Sequence, residues 1–301
     1  MTRFEKVLCD WLNNEGRFAT TCLSTRTRSS PYNAAPMDPT LPELLRILDL
    51  EPIELNQFRA HHPPGTQGRV YGGQIMAQAL MAAGRTVASE LRVHSLHGYF
   101  LRPGDPGVPV LMSVDRIRDG KSFVTRRVVA IQRGQAIFEM STSFQTQEEG
   151  FTHQARTVLR EPPAKVPPVL AKTAFIAMME DWKTYRQDIP HPPFKRVWFR
   201  ANGDVPNDPL LHACLLTYQS DSDLMSTSRL PHRPIDRSRL QRASLDHAMW
   251  FHRPIHVDQW LLYDLDSPSA SQSRGYNRGE IYQTDGTLVA SAMQECLMRN
   301  R

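Results

Sequence analysis

The chain has 301 residues, 40% of them hydrophobic and 22% charged, with 36 Lys plus Arg against 31 Asp plus Glu for a formal charge of +5. That profile excludes a disordered or low-complexity chain, and the length suits two domains or two packed halves. No run of 18 uncharged apolar residues occurs, which excludes a membrane-spanning helix.

The cysteines Cys9, Cys22, Cys214 and Cys296 form no C-x-x-C pair, so zinc ribbons and dithiol redox motifs drop out and a reducing, cytoplasmic setting fits. Thirty of the 36 basic residues are Arg. An excess of positive charge suits any polyanion, but no basic run or aromatic-interleaved basic stripe exists, which argues against nucleic acid as a partner.

Residues 1–40 read as an N-terminal extension, expected to be poorly ordered, with Met37 opening the folded part. Glu5, Lys6 and Asp10 interrupt any apolar core behind the basic start, so the segment does not read as a secretory signal. The first folded unit, 41–150, opens with the helical "TLPELLRILDL", followed by a short strand over 55–60 and a helix over 73–87, where Ile75, Ala79, Leu80 and Ala83 share one face. Four strands follow, "VHSLHGYFLR", "VPVLMSVDRI", "SFVTRRVVAI" and "AIFEMSTSF", divided by the turn clusters "PGDPG", "RDGK" and "QRGQ". Residues 151–195 form a Pro-rich linker with a helix predicted over 169–186.

The second unit, 196–301, repeats this grammar with the strand "KRVWFRA", a helix over 208–225, and the strands "RASLDHAMWFHR", "DQWLLYDL", "RGYNRGEIYQ" and "TLVASAMQECL". With Arg102-Pro103 laid on Arg253-Pro254, Leu111 meets Leu262 and Asp115 meets Asp266; after one residue of slip Arg126 meets Arg278, Gly134 meets Gly286 and Ile137 meets Val289. A duplicated unit of one helix wrapped by an antiparallel sheet follows, an α+β architecture.

Several candidates for chemistry fall away on spacing. His94 and His97 stand three apart on a strand and point to opposite faces, and His247, His252 and His256 share no face once Pro254 bends the chain, so metal ligation is not expected. His94 as a general base lacks an orienting partner. There is no G-x-S-x-G elbow, G-x-G-x-x-G or P-loop. Gly72-Gly73 opens the first helix, where N–H groups unobstructed by side chains suit a developing oxyanion; Gly73 is the candidate donor, and a purely steric need for glycine is the alternative.

The motifs "VYGGQIMAQAL", "VHSLHGYFLRPGD", "RDGKSFVTRRV", "LDHAMWFHRP" and "GTLVASAMQECLMRN" resemble those of the type II acyl-CoA thioesterases, a double hot-dog family, from about residue 41 to the C-terminus. The resemblance implies hydrolysis of fatty acyl-CoA to free acid and CoA, with no metal, no cofactor and no covalent acyl-enzyme, by a water held by three side chains. They fall on Asp221 in "YQSDSDLM", Ser244 in "RASLDH" and Gln294 in "SAMQEC". Asp223 is close enough to Asp221 to be its rival. Taken singly, each has a bland reading: a solvated helix-end Asp, a strand Ser paired with backbone, an outward strand Gln. A hot-dog enoyl-CoA hydratase, using Asp208 and His212 of "NDPLLH", and a non-catalytic acyl-CoA-binding protein are the competing readings. Self-association into a dimer or tetramer is expected, since paired sheets extend readily into larger assemblies.

Overall fold

A computed structural model describes residues 39–166, 173–236 and 238–301. The expected N-terminal extension lies outside the described residues except for Pro39 and Thr40, which belong to the fold. Thr40 caps α1 (Leu41–Leu48) through a reciprocal box: its Oγ1 accepts from Glu43 N at 3.4 Å, and Glu43 Oε2 accepts from Thr40 N at 2.8 Å. Leu44 and Leu48, one turn apart, are fully buried.

A short hairpin, β1 (Glu51–Glu54) and β2 (Gln57–Ala60), leads to α2 (Gly72–Gly84). The meander β3 (Leu91–Phe100), β4 (Val110–Asp119), β5 (Phe123–Gln132) and β6 (Gln135–Thr146) wraps it. The second unit repeats the plan with β8 (Phe194–Ala201), α4 (Pro209–Ser220), β9 (Leu240–Ser244), β10 (Asp246–Phe251), β11 (Leu261–Ser271), β12 (Arg274–Gln283) and β13 (Leu288–Asn300). The strands, with the linker strand β7 (Phe175–Met179), join one antiparallel sheet in the order β1-β2-β4-β5-β6-β3-β10-β13-β12-β11-β8-β7, with β9 added beside β13. This is the double hot-dog fold. The seam is β3 against β10, where Ala248 lies opposite His97, so each unit closes an edge strand of the other.

Both long helices are buried along nearly their whole length, which removes the usual one-sided apolar stripe. Every residue from Gly73 to Gly84 is buried in α2, and His212 to Ser220 in α4. Small residues allow this: Ala77, Ala79, Ala82 and Ala83 let α2 sit close to the sheet on one side and to α4 on the other. Leu80 and Leu215 are 0% exposed, so truncating either to Ala would cost roughly 2–5 kcal/mol.

Three elements differ from the sequence expectation. The helix predicted over 169–186 is strand β7 (Phe175–Met179) followed by a single helical turn, α3 (Trp182–Tyr185), with 167–172 outside the described residues. The open edge of β8 offers unpaired backbone groups, and Phe175 pairs opposite Ala201 there, so tertiary pairing overrides local propensity. The helix predicted over 208–225 stops at Ser220, where Asp223 adopts φ 66°; a separate turn, α5 (Leu224–Thr227), follows. The run "RASLDHAMWFHR" is two strands, broken at Leu245.

Arg126 lies opposite Thr142, and the residue opposite Gln294 is Asn277, so Arg126 corresponds to Asn277 rather than Arg278. The extra residue of the second unit sits in the β12–β13 hairpin, after the position where the sequence overlay placed it. Val158 of the linker and Trp260 pack on Trp198, Leu262 and Tyr282, forming a small second core on the far face of the second unit's sheet.

Candidate active site

The C-terminus of α4 meets the N-terminus of α2, and the chemistry of the site follows from that contact. Asp221 is the residue just past the last turn of α4. Its Oδ2 accepts from Gly73 N at 2.9 Å, and its Oδ1 accepts from Gln294 Nε2 at 2.7 Å. The α2 N-terminus has no side-chain cap from Tyr71, so the Asp221 carboxylate supplies the acceptor, placed where the helix dipole favours negative charge. Burial pushes the Asp221 pKa up, while the donors on Gln294 and Gly73 pull it down; burial wins. The carboxylate is therefore more basic than an ordinary Asp yet held by two donors.

Both glycines at this junction are there for space. A Cβ on Gly73 would lie 2.2 Å from Tyr218 O, and one on Gly72 would lie 2.7 Å from Asp221 Oδ2. The steric alternative for Gly73 is thus the one the geometry favours. Its N–H, the expected oxyanion donor, donates to Asp221 Oδ2. Gly72 N–H, the neighbouring group, has no acceptor among the described residues.

Gln294 is buried on the inner face of β13 at 1% exposure. Its Nε2 faces two acceptors, Asp221 Oδ1 and His247 Nδ1, the latter at 3.4 Å. That assigns the amide, and it leaves Gln294 Oε1 buried without a partner. His247, also 1% exposed, places its Nε2 3.0 Å from Ser220 Oγ, and Ser220 Oγ donates to Thr217 O at 2.9 Å. One pattern satisfies both ring nitrogens: Nε2 of His247 carries the proton and donates to Ser220, while Nδ1 accepts from Gln294. Burial alone lowers the His247 pKa to about 3, so the ring is neutral.

Ser244 ends β9 directly opposite Cys296, two residues beyond Gln294 on the same face of β13. The structure therefore joins Asp221 and Gln294 by a hydrogen bond and brings Ser244 one step along the same face, with no hydrogen bond linking it to either. Asn277, across from Gln294, accepts from Ser228 N at 2.9 Å and ties the segment after α5 to the sheet beside the site.

Two family profiles match this chain: acyl-CoA thioesterase over residues 187–297, and acyl-CoA thioesterase N-terminal domain over residues 61–145. The chain is 37% identical to acyl-coenzyme A thioesterase 8 of Mus musculus, across 84% of this chain and 88% of that protein. The chain belongs to the acyl-CoA thioesterase family. Among solved structures, an acyl-CoA thioesterase II from Mycobacterium marinum is 42% identical with TM-score 0.75, covering 86% of this chain and 97% of that one. A hot-dog protein from Alicyclobacillus acidocaldarius, 16% identical with TM-score 0.68 over 86% of this chain and 98% of that one, shares the fold.

Asp223 is drawn away from the site by the buried Lys195, whose Nζ donates to Asp223 Oδ1 at 2.7 Å and to Ser226 Oγ at 2.6 Å, so it does not compete with Asp221. Asp208 caps α4, its Oδ1 accepting from Leu210 N at 2.8 Å and Leu211 N at 3.4 Å. His212 Nδ1 accepts from Val257 N at 3.3 Å. Neither is free for hydratase chemistry. His212, His256 and Asp258 bring ligand atoms within 4.8 Å of one another, with His212 Nδ1 accepting from the Val257 N–H. His94 Nε2 is buried with no hydrogen-bond partner against the Phe123 ring, and His97 packs on Trp250.

His247 and Ser220 are the members of the site that sequence reasoning missed. The only sequence signal for His247 is its place three residues after Ser244, a spacing that reads as the opposite face.

Proposed function

We propose that this protein hydrolyses fatty acyl-CoA to free acid and CoA, with Asp221 as general base to a water that Gln294 and Ser244 help to hold. The observation that carries the reading is the pair formed by Asp221 and Gln294, from elements 73 positions apart, beside the bared N-terminus of α2. The chemistry is coherent with the atoms present. A water donating one hydrogen to Asp221 and the other to the unpartnered Gln294 Oε1 keeps a lone pair for the thioester carbon. Ser244 adds a hydroxyl that both donates and accepts. The developing oxyanion is served by Gly72 N–H, since Gly73 N–H already holds Asp221. Expulsion of the CoA thiolate completes the step, and the proton on Asp221 returns to it or to solvent.

Family membership supports hydrolysis over hydration. The intact polar set supports a turning-over enzyme over a silent binding protein. Buried free thiols at Cys214 and Cys296 suit a reducing cytoplasm. We expect a dimer or tetramer, read by light scattering. Free thiol released from a panel of acyl-CoAs, with Asp221→Ala beside the wild type, tests the mechanism. The variant should lose about 10²–10⁴-fold in kcat; equal rates in the two proteins reject Asp221 as the base.

A further inference from the structure

Ser244 and His247 stand three apart, yet both face inward, because the strand that carries them holds one residue more than its partner. On β10 the register with β13 runs Ala248 opposite Met293; on β9 it runs Ser244 opposite Cys296. Leu245, Asp246 and His247 therefore stand against only Gln294 and Glu295. Without the extra residue Leu245 would face Cys296, and Ser244 would point away from Gln294.

The first unit has the same bulge. His94 is unmatched between the pairs Val93–Phe144 and Ser95–Ser143. There Thr142 Oγ1 donates to Ser95 O at 2.9 Å and holds the bulge from the neighbouring strand. The residue in the place of Thr142 in the second unit is Gln294, whose amide is committed to Asp221 and His247. A different anchor is present instead: Asp246 Oδ1 accepts from Glu295 N at 2.6 Å. Leu245 completes the bulge, donating its N–H to Glu295 O at 3.0 Å and accepting from Phe100 N at 2.9 Å.

We propose that Asp246 is a positioning residue for thioester hydrolysis, its carboxylate fastening the bulge that turns Ser244 toward the water beside Asp221 and Gln294. Next to the inward His247, Asp246 lies on the outer face, opposite Tyr99, and it acts through the backbone of Glu295. The inference rests on the reading of Ser244 as part of the site.

Thiol release under saturating acyl-CoA, in the full chain, tests it with Ser244→Ala, Asp246→Ala, Asp246→Asn and the double variant Ser244→Ala/Asp246→Ala. Misplacing the hydroxyl should cost about what removing it costs, roughly 10²-fold in kcat, with KM within about twofold. The double variant should then be no slower than Ser244→Ala alone, because both changes remove one interaction. Asp246→Asn keeps the acceptor oxygen and should recover most of kcat. Multiplying losses in the double variant, or an Asp246→Ala protein with wild-type kcat, overturns the proposal. If Asp246→Ala fails to fold, Asp246→Asn decides: near-wild-type kcat supports an acceptor role, and a kcat as low as that of Ser244→Ala overturns it. A Ser244→Ala protein with wild-type kcat rejects instead the assignment of Ser244 on which the proposal rests.

Discussion

Asp221 and Gly84 occupy equivalent places, each thirteen residues beyond its helix N-cap, Asp208 and Tyr71. At Asp221 the facing helix offers Gly73 and a hydrogen bond. At Gly84 the facing helix offers Leu210, whose methyl carbons would lie 2.4 Å from an added Cβ. Packing replaces polarity at two further places, for Val93 stands where the second unit has Ser244 and Leu96 where it has His247; at a third, Thr142 stands where it has Gln294 and both are polar. The backbones agree down to the bulge and the turn carbonyls, for Leu101 and Arg102 both donate to Ile137 O just as His252 and Arg253 both donate to Val289 O. The two units thus share their backbone register, bulge included, while the side chains that line it differ. A partly buried carboxylate and an unpaired amide oxygen oppose folding, so a unit without them can fill the same places with apolar groups.

The sharpest way to break this contrast is to make a polar position of the second unit apolar. Gln294→Leu removes a donor to Asp221 and the free acceptor together, and should lower kcat by about 10²–10³-fold. Because the Gln294 hydrogen bond pulls the Asp221 pKa down, its loss should also move the acid limb of the pH–rate profile to higher pH. Thiol release measured across pH reads both effects. An unmoved limb would mean that another group titrates.

The two helix junctions can be compared directly by adding one methyl to each. Gly73→Ala drives a Cβ against the backbone oxygen of Tyr218, which cannot move without parting α2 from α4, whereas Gly84→Ala meets only the end of the Leu210 side chain. Thermal unfolding should show the larger loss for Gly73→Ala, of order 1–3 kcal/mol or more, with activity lost alongside. Equal losses would remove the distinction.

His247→Leu copies Leu96 and tests the buried imidazole. A His whose folded pKa is lowered from 6.5 to about 3 stabilises the fold fully above pH 6.5, and that stability is lost as pH falls toward 3, because the unfolded chain takes up the proton first. The variant's stability should therefore fall less steeply than the wild type's over that window, as followed by denaturant unfolding at several pH values. Thr142→Ala is the mildest change. It removes one hydrogen bond in the first unit, should cost about 1 kcal/mol and should leave kcat within twofold.

Parts of this were legible in the residues. The alternation of the strands, the two apolar helices and their repeated order carry the architecture, and the motif resemblance singled out Asp221 and Gln294, which are hydrogen-bonded to each other. Other parts were not. Arg126 and Arg278 align as letters, yet Arg126 is buried, with its guanidinium on Thr86 and Asp119, while Arg278 pairs with Asp266 on the outside. The residue structurally equivalent to Arg126 is Asn277, and the two do related work, each fastening to the sheet the segment that follows its unit's helix. The linker strand β7 was equally hidden, because its five residues become a strand only when the edge of β8 is present to pair with them.

What the chain determined by itself is the order of elements, because hydrophobic period and turn chemistry are local properties of neighbouring residues. What only the tertiary structure decided is register and contact: that Gly73 N–H is held by Asp221, that His247 lies against Gln294, and that one unmatched residue turns Ser244 inward. A single extra residue in a strand leaves almost no trace in composition or periodicity, yet it exchanges the inside and outside of every position beyond it.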